Sequence, residues 1–272
     1  MRLMKRGLIV LGLLFACLPL VHAQSDFTAA GQYPQFRGLS GLPGSGFGIL
    51  PDGTPSFSGA MSYSSPIAYG LNNWHFAVSA ENASDYWFFR LPHVTQRSGN
   101  QDSNGKANLM VGVPLGKFGS LTLSQTILSS LLDGAFNFQY QFPVFYKGVG
   151  VAFGCQDFRG SLHNSGAENV PGGNGLSRSF YGVVTVPLPH GVYVSAGYGD
   201  RRFKYGFANI SAPLGDRFKA VIEHDGFDFN EALAYHPNSP RWLNAFGKPA
   251  IFTMMIGYEK SKYAFWALNL SF

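Results

Sequence analysis

The chain has 272 residues, of which 46% are hydrophobic, 15% aromatic and only 13% charged. Residues 1–23 carry three basic and no acidic side chains, so the remaining residues hold 17 basic and 15 acidic ones, a net charge of +2. That balance gives no support to a nucleic-acid-binding protein. No stretch after residue 23 reaches the roughly 18 consecutive apolar residues of a transmembrane helix.

Residues 1–23 have the pattern of a secretory signal peptide. A basic start is followed by an apolar run over residues 7–20 and by the small residue Ala23, which precedes a predicted cleavage site. A membrane anchor that stays attached is the alternative. Cleavage would remove Cys17 and leave Cys155 without a partner, so we expect no internal disulfide in the mature chain.

Residues 24–53 are rich in glycine and proline and show little periodicity. We interpret them as a plug or as a periplasmic segment that leads into the rest of the chain. Asp52-Gly53 is a turn signal, and we place the start of a barrel domain directly after it, at residues 54–272.

From residue 54 onward, short segments with strand-like patterns alternate with turns rich in Gly, Asn and Pro. A further aromatic segment at 85–93 either continues the predicted strand 74–83 or lies at a membrane interface. Longer polar stretches at 97–106, 160–175 and 237–240 are predicted external loops. The predicted strands are 55–64, 74–83, 107–114, 118–128, 135–142, 149–158, 177–187, 192–198, 205–213, 218–226, 229–236, 251–260 and 263–272.

The segment 135–142 has the clearest alternation. Phe136, Phe138 and Tyr140 lie on one side, and small or amide side chains lie on the other. A soluble sheet with one wet face would show the same pattern. Large apolar residues nevertheless recur on one face in strand after strand, which favours an outer surface in contact with lipid. The predicted fold is all-β: a single antiparallel transmembrane β-barrel of about twelve strands, within a range of 10–14, after a cleaved signal peptide.

The last ten residues also alternate, with an apolar face that ends on an aromatic residue at the C-terminus. This pattern resembles the C-terminal signal of bacterial outer-membrane barrels, which the barrel-assembly machinery reads. The residues that carry the signal are Trp266, Leu268, Leu270 and Phe272. Their pattern predicts a protein of the bacterial outer membrane. A soluble secreted β protein is the alternative.

The densest charge lies around residues 200–202 and 219–228. Alternation along 218–225 turns Lys219, Glu223 and Asp225 towards the lumen and His224 outwards. Two carboxylates about 7 Å apart on one face could act as an acid/base pair. We favour the other interpretation, an ion-pair network that fills the barrel. The candidate lumenal cluster is Asp200, Arg201, Arg202, Lys219, Glu223, Asp225 and Asp228.

No recognisable catalytic or metal motif accompanies these charges. None of the seven histidines lies in a Gly-x-Ser-x-Gly context or in a zinc-binding spacing. The sequence therefore predicts a protein that is not an enzyme and that uses no cofactor or metal.

Two regions resemble the YjbH-like family of outer-membrane barrels tied to exopolysaccharide export. The first is 38–54, where Gly38-Leu39 leads to Pro51-Asp52-Gly53-Thr54. The second comprises 151–157, 193–200 and 212–230. In that family a similar strand–turn–strand carries an acidic residue, Asp-Gly and a downstream Asn, which correspond here to Glu223, Asp225-Gly226 and Asn230.

The resemblance implies a non-enzymatic role in exopolysaccharide export or assembly. Expected partners are outer-membrane lipid, the barrel-assembly machinery and a glycan or other envelope export proteins, with no nucleic acid. Two alternatives remain open at this stage. One is a general porin-like diffusion channel, and the other is a barrel-embedded hydrolase or acyltransferase.

Overall fold

The structure, a computed structural model, describes residues 33–83, 105–127, 134–160, 177–237, 249–261 and 263–272. Twelve antiparallel strands close into one barrel, in which β1 pairs with both β2 and β12. This confirms the predicted all-β barrel of about twelve strands. The strands are β1 (Phe76–Ala83), β2 (Gly105–Pro114), β3 (Ser120–Ile127), β4 (Gly134–Gln141), β5 (Gly150–Gln156), β6 (Ser179–Pro187), β7 (Tyr193–Gly199), β8 (Phe207–Pro213), β9 (Phe218–His224), β10 (Phe229–Tyr235), β11 (Ile251–Glu259) and β12 (Tyr263–Ser271).

The strand β4 shows why these segments form a barrel wall. Ala135, Asn137 and Gln139 are buried towards the lumen, whereas Phe136 is 40% exposed on the outside. The same alternation leaves Ile222 at 50% and Ile256 at 58% exposure on the outer face. Apolar residues on the outside and polar ones inside are what a transmembrane β-barrel requires, so the closed barrel fits an outer-membrane protein. Within the described ranges, no helix is long and apolar enough to cross a membrane.

The two ends of the barrel differ in their connections. At the end where β1 begins and β12 finishes, here called the terminal end, short turns join most strand pairs, as at Gly116–Phe118 and Pro189–Gly191. The opposite end, here called the loop end, carries the longer connections 84–104 and 157–178. One strand pair is an exception, because β10 ends and β11 begins at the terminal end with 15 residues, 236–250, between them in the sequence.

Residues 33–75, here called the lumen segment, lie mostly inside the barrel and precede β1. At the end of the segment, Trp74 and His75 exchange backbone hydrogen bonds with Gly112 of β2. The segment contains one helical turn, α1 (Pro34–Arg37), and isolated bridges between Ile49 and Ala60 and between Ser45 and Ser62. Most of its large side chains are almost fully buried, among them Tyr63 and Tyr69, whereas Trp74 at its end is 63% exposed. The segment starts at the loop end, where Arg37 contacts Asp225, and reaches the terminal end at Pro51, which contacts Gln141. It returns towards the loop end at Tyr63 and then runs back to the terminal end, where β1 begins.

Two predicted boundaries therefore change. The predicted strand 55–64 is wrong, because those residues belong to the lumen segment, and the barrel begins at Phe76 instead of residue 54. The predicted loop 97–106 extended too far, because β2 starts at Gly105 and Lys106 is buried. The signal peptide at 1–23, the aromatic segment at 85–93 and most of the loop predicted at 160–175 lie outside the described residues.

The lumen segment and the wall pack through shared apolar clusters. Leu39 and Met61 lie against Met255 and Phe265 of the wall. On another side of the lumen, Leu42 and Ala68 pack with Tyr181, Val183 and Phe207. Each cluster combines side chains from both parts, so burial of apolar surface holds the segment inside the barrel.

Candidate functional site in the barrel lumen

Uncharged polar side chains of the wall bind the backbone of the lumen segment. They are the residues that alternation turns inwards from β2 to β6, and most of their partners are backbone groups that have no secondary-structure partner. The contacts are Ser124 Oγ to the Gly41 carbonyl at 2.5 Å, Gln139 Nε2 to the Ile67 carbonyl at 3.0 Å, Gln141 Nε2 to the Pro51 carbonyl at 2.9 Å, the Gly70 N–H to Gln141 Oε1 at 2.7 Å, and the Ala68 N–H to Thr185 Oγ1 at 2.7 Å.

Glu223 on β9 is a charged anchor for the segment. Its carboxylate accepts the consecutive backbone N–H groups of Tyr63 at 3.1 Å, Ser64 at 2.8 Å and Ser65 at 3.2 Å. The Ser65 hydroxyl and Asn230 Nδ2 donate to it as well. Glu223 is only 1% exposed, so these donors take the place of water around a buried carboxylate.

A second anchor joins α1 to the turn between β9 and β10. Arg37 Nε lies 2.7 Å from Asp225, and its Nη2 lies 2.7 Å from Asp228. Burial alone would raise the pKa of Asp225, but Arg37 and Arg202 outweigh it and hold that pKa below its usual value. Asp225 is therefore ionised at neutral pH. The side chain of Asp228 is 41% exposed, so its contribution is smaller.

A third anchor surrounds Tyr63. Its hydroxyl donates to Glu81 Oε2 at 2.8 Å and also contacts Glu259. Lys106 Nζ lies 3.1 Å from Glu81 Oε1, and the Leu39 N–H donates to Glu81 Oε2 at 2.8 Å. The carboxylates of β1 and β11 thus hold two separate parts of the lumen segment.

Two basic residues of the predicted cluster also face the lumen. Arg202 is fully buried and donates to the hydroxyl of Ser64 at 2.6 Å. Burial lowers the pKa of Arg202 to about 10, so it still carries its charge at neutral pH. Lys219 is 1% exposed and donates to the Gly59 carbonyl.

The other two predicted members lie elsewhere. Asp200 is exposed at the loop end, where its Oδ1 accepts the Phe180 N–H at 2.7 Å. Arg201 is half-buried and donates to the Arg178 carbonyl at 2.7 Å. The lumenal cluster therefore includes Arg202 but neither Asp200 nor Arg201, because within the short helical turn after β7 only Arg202 and Phe203 are buried.

The C-terminal strand closes the barrel. Trp266 is 47% exposed on the outer face, and Leu268 and Leu270 follow in the same phase. Phe272 exchanges backbone hydrogen bonds with Phe76, and their rings stack at 4.5 Å between centroids, so Phe272 is only 7% exposed. The terminal aromatic residue thus packs at the seam where the first and last strands meet.

Comparison with known proteins adds no relative. No protein-family model matches the chain, and no curated protein matches it. Within the described part of the chain, no group of three or more His, Cys, Asp or Glu side chains is arranged to hold a metal ion.

Several anchoring residues are not predicted by the sequence. Arg37 lies in a stretch without periodicity, so nothing in the sequence points to its partner far along the chain. Tyr63 fits the pattern of the strand predicted at 55–64, which places it in the wall. Glu81 carried a usable signal, because it is the one charged residue of the predicted strand 74–83 and occupies a lumen-facing position.

Proposed function

We propose that this protein is a non-enzymatic outer-membrane barrel that takes part in the export or assembly of an exopolysaccharide, and that the lumen segment keeps it closed at rest. The closed barrel with its apolar outer face supports the membrane part of the proposal. The link to polysaccharide draws on the resemblance to the YjbH-like barrels.

The observation that carries the proposal is the chemistry of the lumen wall. Serine, threonine, asparagine and glutamine side chains bind backbone groups of the lumen segment one hydrogen bond at a time. Each such bond contributes about 1 kcal/mol, because it replaces a bond to water. Hydroxyl groups of a glycan offer the same donors and acceptors, so a polysaccharide could replace the segment bond by bond.

The diffusion-channel alternative requires an open lumen. Residues 33–75 fill the part of the lumen that the structure describes, with Leu39, Tyr63 and Tyr69 at 0% exposure. A steady, unregulated pore is therefore the weaker candidate, and any passage requires the segment to move.

The enzyme alternative would use Glu223 and Asp225 as an acid/base pair. Glu223 accepts several hydrogen bonds from the lumen segment, and Asp225 is paired with Arg37. Both carboxylates are 1% exposed, so neither meets solvent or an open cleft in which a substrate could bind. Anchoring the segment is the role that this geometry supports best.

Deletion of the gene tests the proposed role. We expect loss of surface polysaccharide, measured by sugar analysis of material released from washed cells, and recovery when the intact chain is supplied. A second strain that receives Glu231→Gln, a change of an exposed carboxylate on β10, should recover equally. Unchanged polysaccharide in the deletion strain would contradict the proposal.

A further inference from the structure

The outer face of β1 to β4 has a concavity, which Phe158 and Arg159 after β5 border at the loop end. Its volume is about 910 Å³. Val78, Leu109, Leu123, Phe136 and Phe158 line it, and each of them is between 40% and 52% exposed. Outward apolar positions of a barrel face lipid tails, and a concave surface of this size can hold part of one acyl group more closely than a flat wall can.

Arg159 borders this groove at the loop end, and Arg178 lies beside it over the ring of Phe158. The guanidinium carbon of Arg159 is 5.5 Å from the ring centre of Phe136, and that of Arg178 is 5.5 Å from the ring centre of Phe158. Arg178 Nε also donates to the Phe158 carbonyl at 2.8 Å. The two cations are therefore held directly over the aromatic lining of the groove.

Among the described residues, neither Arg159 nor Arg178 forms an ion pair with a carboxylate. Of the acidic residues at the loop end, Asp157 is fully buried and Asp200 accepts the Phe180 N–H. A guanidinium presents several donors in a planar fork, which suits a phosphate group.

We propose that this groove binds a phosphorylated glycolipid of the outer leaflet, with an acyl chain against Leu109 and Leu123 and a phosphate at Arg159 and Arg178. The assignment to the outer leaflet rests on the proposed outer-membrane location, because longer loops mark the external end of such barrels. The groove then positions one lipid beside the seam between β1 and β12.

Native mass spectrometry of the full chain, extracted from membranes in mild detergent, tests the site. The wild type should retain one phosphorylated glycolipid. Arg159→Gln with Arg178→Gln should lower the retained fraction at least about tenfold, which is the effect of losing one charge-assisted hydrogen bond. Leu123→Trp, which fills the groove and leaves the arginines in place, should lower it as well.

The matched control is Lys117→Gln with Lys147→Gln at the terminal end. These lysines also lie over aromatic rings, at 5.2 Å from Phe118 and 5.1 Å from Tyr146. Their replacement should leave retention unchanged, and Ile210→Trp, on the outer face of β8, should do the same. A wild type that retains no glycolipid, or equal binding of the glycolipid after enzymatic removal of its phosphates, would overturn the proposal.

Only samples with heat-modifiable gel mobility, the mark of a folded barrel, enter the comparison. Surface polysaccharide is measured in the same strains. If the wild-type protein retains the glycolipid but a deletion strain has normal surface polysaccharide, the proposed function is contradicted and the lipid site still stands. If deletion abolishes surface polysaccharide but the wild-type protein retains no glycolipid, the lipid site is contradicted and the proposed function still stands.

Discussion

Glu223 joins the barrel wall to the lumen segment through three consecutive backbone N–H groups, those of residues 63–65. Glu223→Gln removes the negative charge and replaces one acceptor oxygen by an NH₂ group, which cannot accept a hydrogen bond from these backbone N–H groups. We expect the segment to lose roughly 2 kcal/mol of binding to the wall, because buried N–H groups lose a charged acceptor. Hydrogen exchange at residues 63–65 should accelerate accordingly.

Glu231→Gln on the neighbouring strand is the matched control, because Glu231 is exposed on the outer face. Exchange at residues 63–65 should be the same as in the wild type. Equal exchange rates in Glu223→Gln and Glu231→Gln would show that Glu223 does not anchor the segment.

The pair of Arg37 and Asp225 makes the anchor sensitive to acid. Because the folded pKa of Asp225 is depressed, its stabilising contribution is complete above the ordinary aspartate pKa of about 3.9. The contribution is lost as the pH falls through the lowered folded value. Protease cleavage within residues 33–40 should therefore increase only in acid, as read by an acid-active protease.

Arg37→Gln should abolish the increase of cleavage in acid and expose the same residues at neutral pH, where the buried Asp225 is left without its main partner. The physical reason is that a buried carboxylate without its partner costs about 3–5 kcal/mol. A cleavage profile that is the same in Arg37→Gln and in the wild type from pH 3 to pH 7 would rule out this anchor.

At the scale of elements, β2 and the lumen segment approach so closely that only glycine fits. A Cβ at Gly112 would overlap the backbone of Leu71. Gly112→Ala should therefore displace the segment at a cost of roughly 1–3 kcal/mol, as overpacking does elsewhere. Limited proteolysis of residues 66–75 measures the displacement. Gly182→Ala on the outer face of β6, where a Cβ meets open space, should have no effect.

The wall strands could be predicted because each separates lipid from a polar interior. In the segment 135–142, the outward Phe136 and the inward Asn137 have different surroundings, so the period of two appears in the sequence. The segment 55–64 alternates as well, with Phe57, Met61 and Tyr63 on one side. In the structure most of both its sides are buried inside the lumen, which a period of two cannot distinguish from a wall strand.

The lumenal site could be predicted only in part. Alternation along β9 placed Lys219, Glu223 and Asp225 opposite the outward Phe218 and Ile222, and all three are buried. The residues with which they pair could not be predicted from the sequence. Arg37 and Asp225 lie 188 positions apart, and the irregular lumen segment has no periodic pattern that would indicate which side chain meets which strand.

At the scale of the whole molecule, the polar wall and the buried lumen segment describe a barrel that is closed until the segment moves. The anchors are unequal. Many single hydrogen bonds involve uncharged side chains, whereas the charged contacts concentrate near Tyr63 and Arg37. Opening is therefore expected to depend mainly on release of the charged anchors.

Location in the membrane is a prediction at this scale. The mature chain should fractionate with the outer membrane, require detergent for extraction and migrate faster on gels before heating than after. Deletion of Phe272 should reduce the folded form, because this residue packs on Phe76 at the closing seam. Recovery of the mature chain in a soluble fraction without detergent would contradict a membrane barrel.

Single-channel recording in planar bilayers tests most directly whether the lumen segment closes the barrel. The wild type should be electrically silent at neutral pH, whereas the combined variant Arg37→Gln with Glu223→Gln should show discrete openings, with Glu231→Gln as a silent control. Steady conductance by the wild type, unaltered in the combined variant, would contradict closure by residues 33–75.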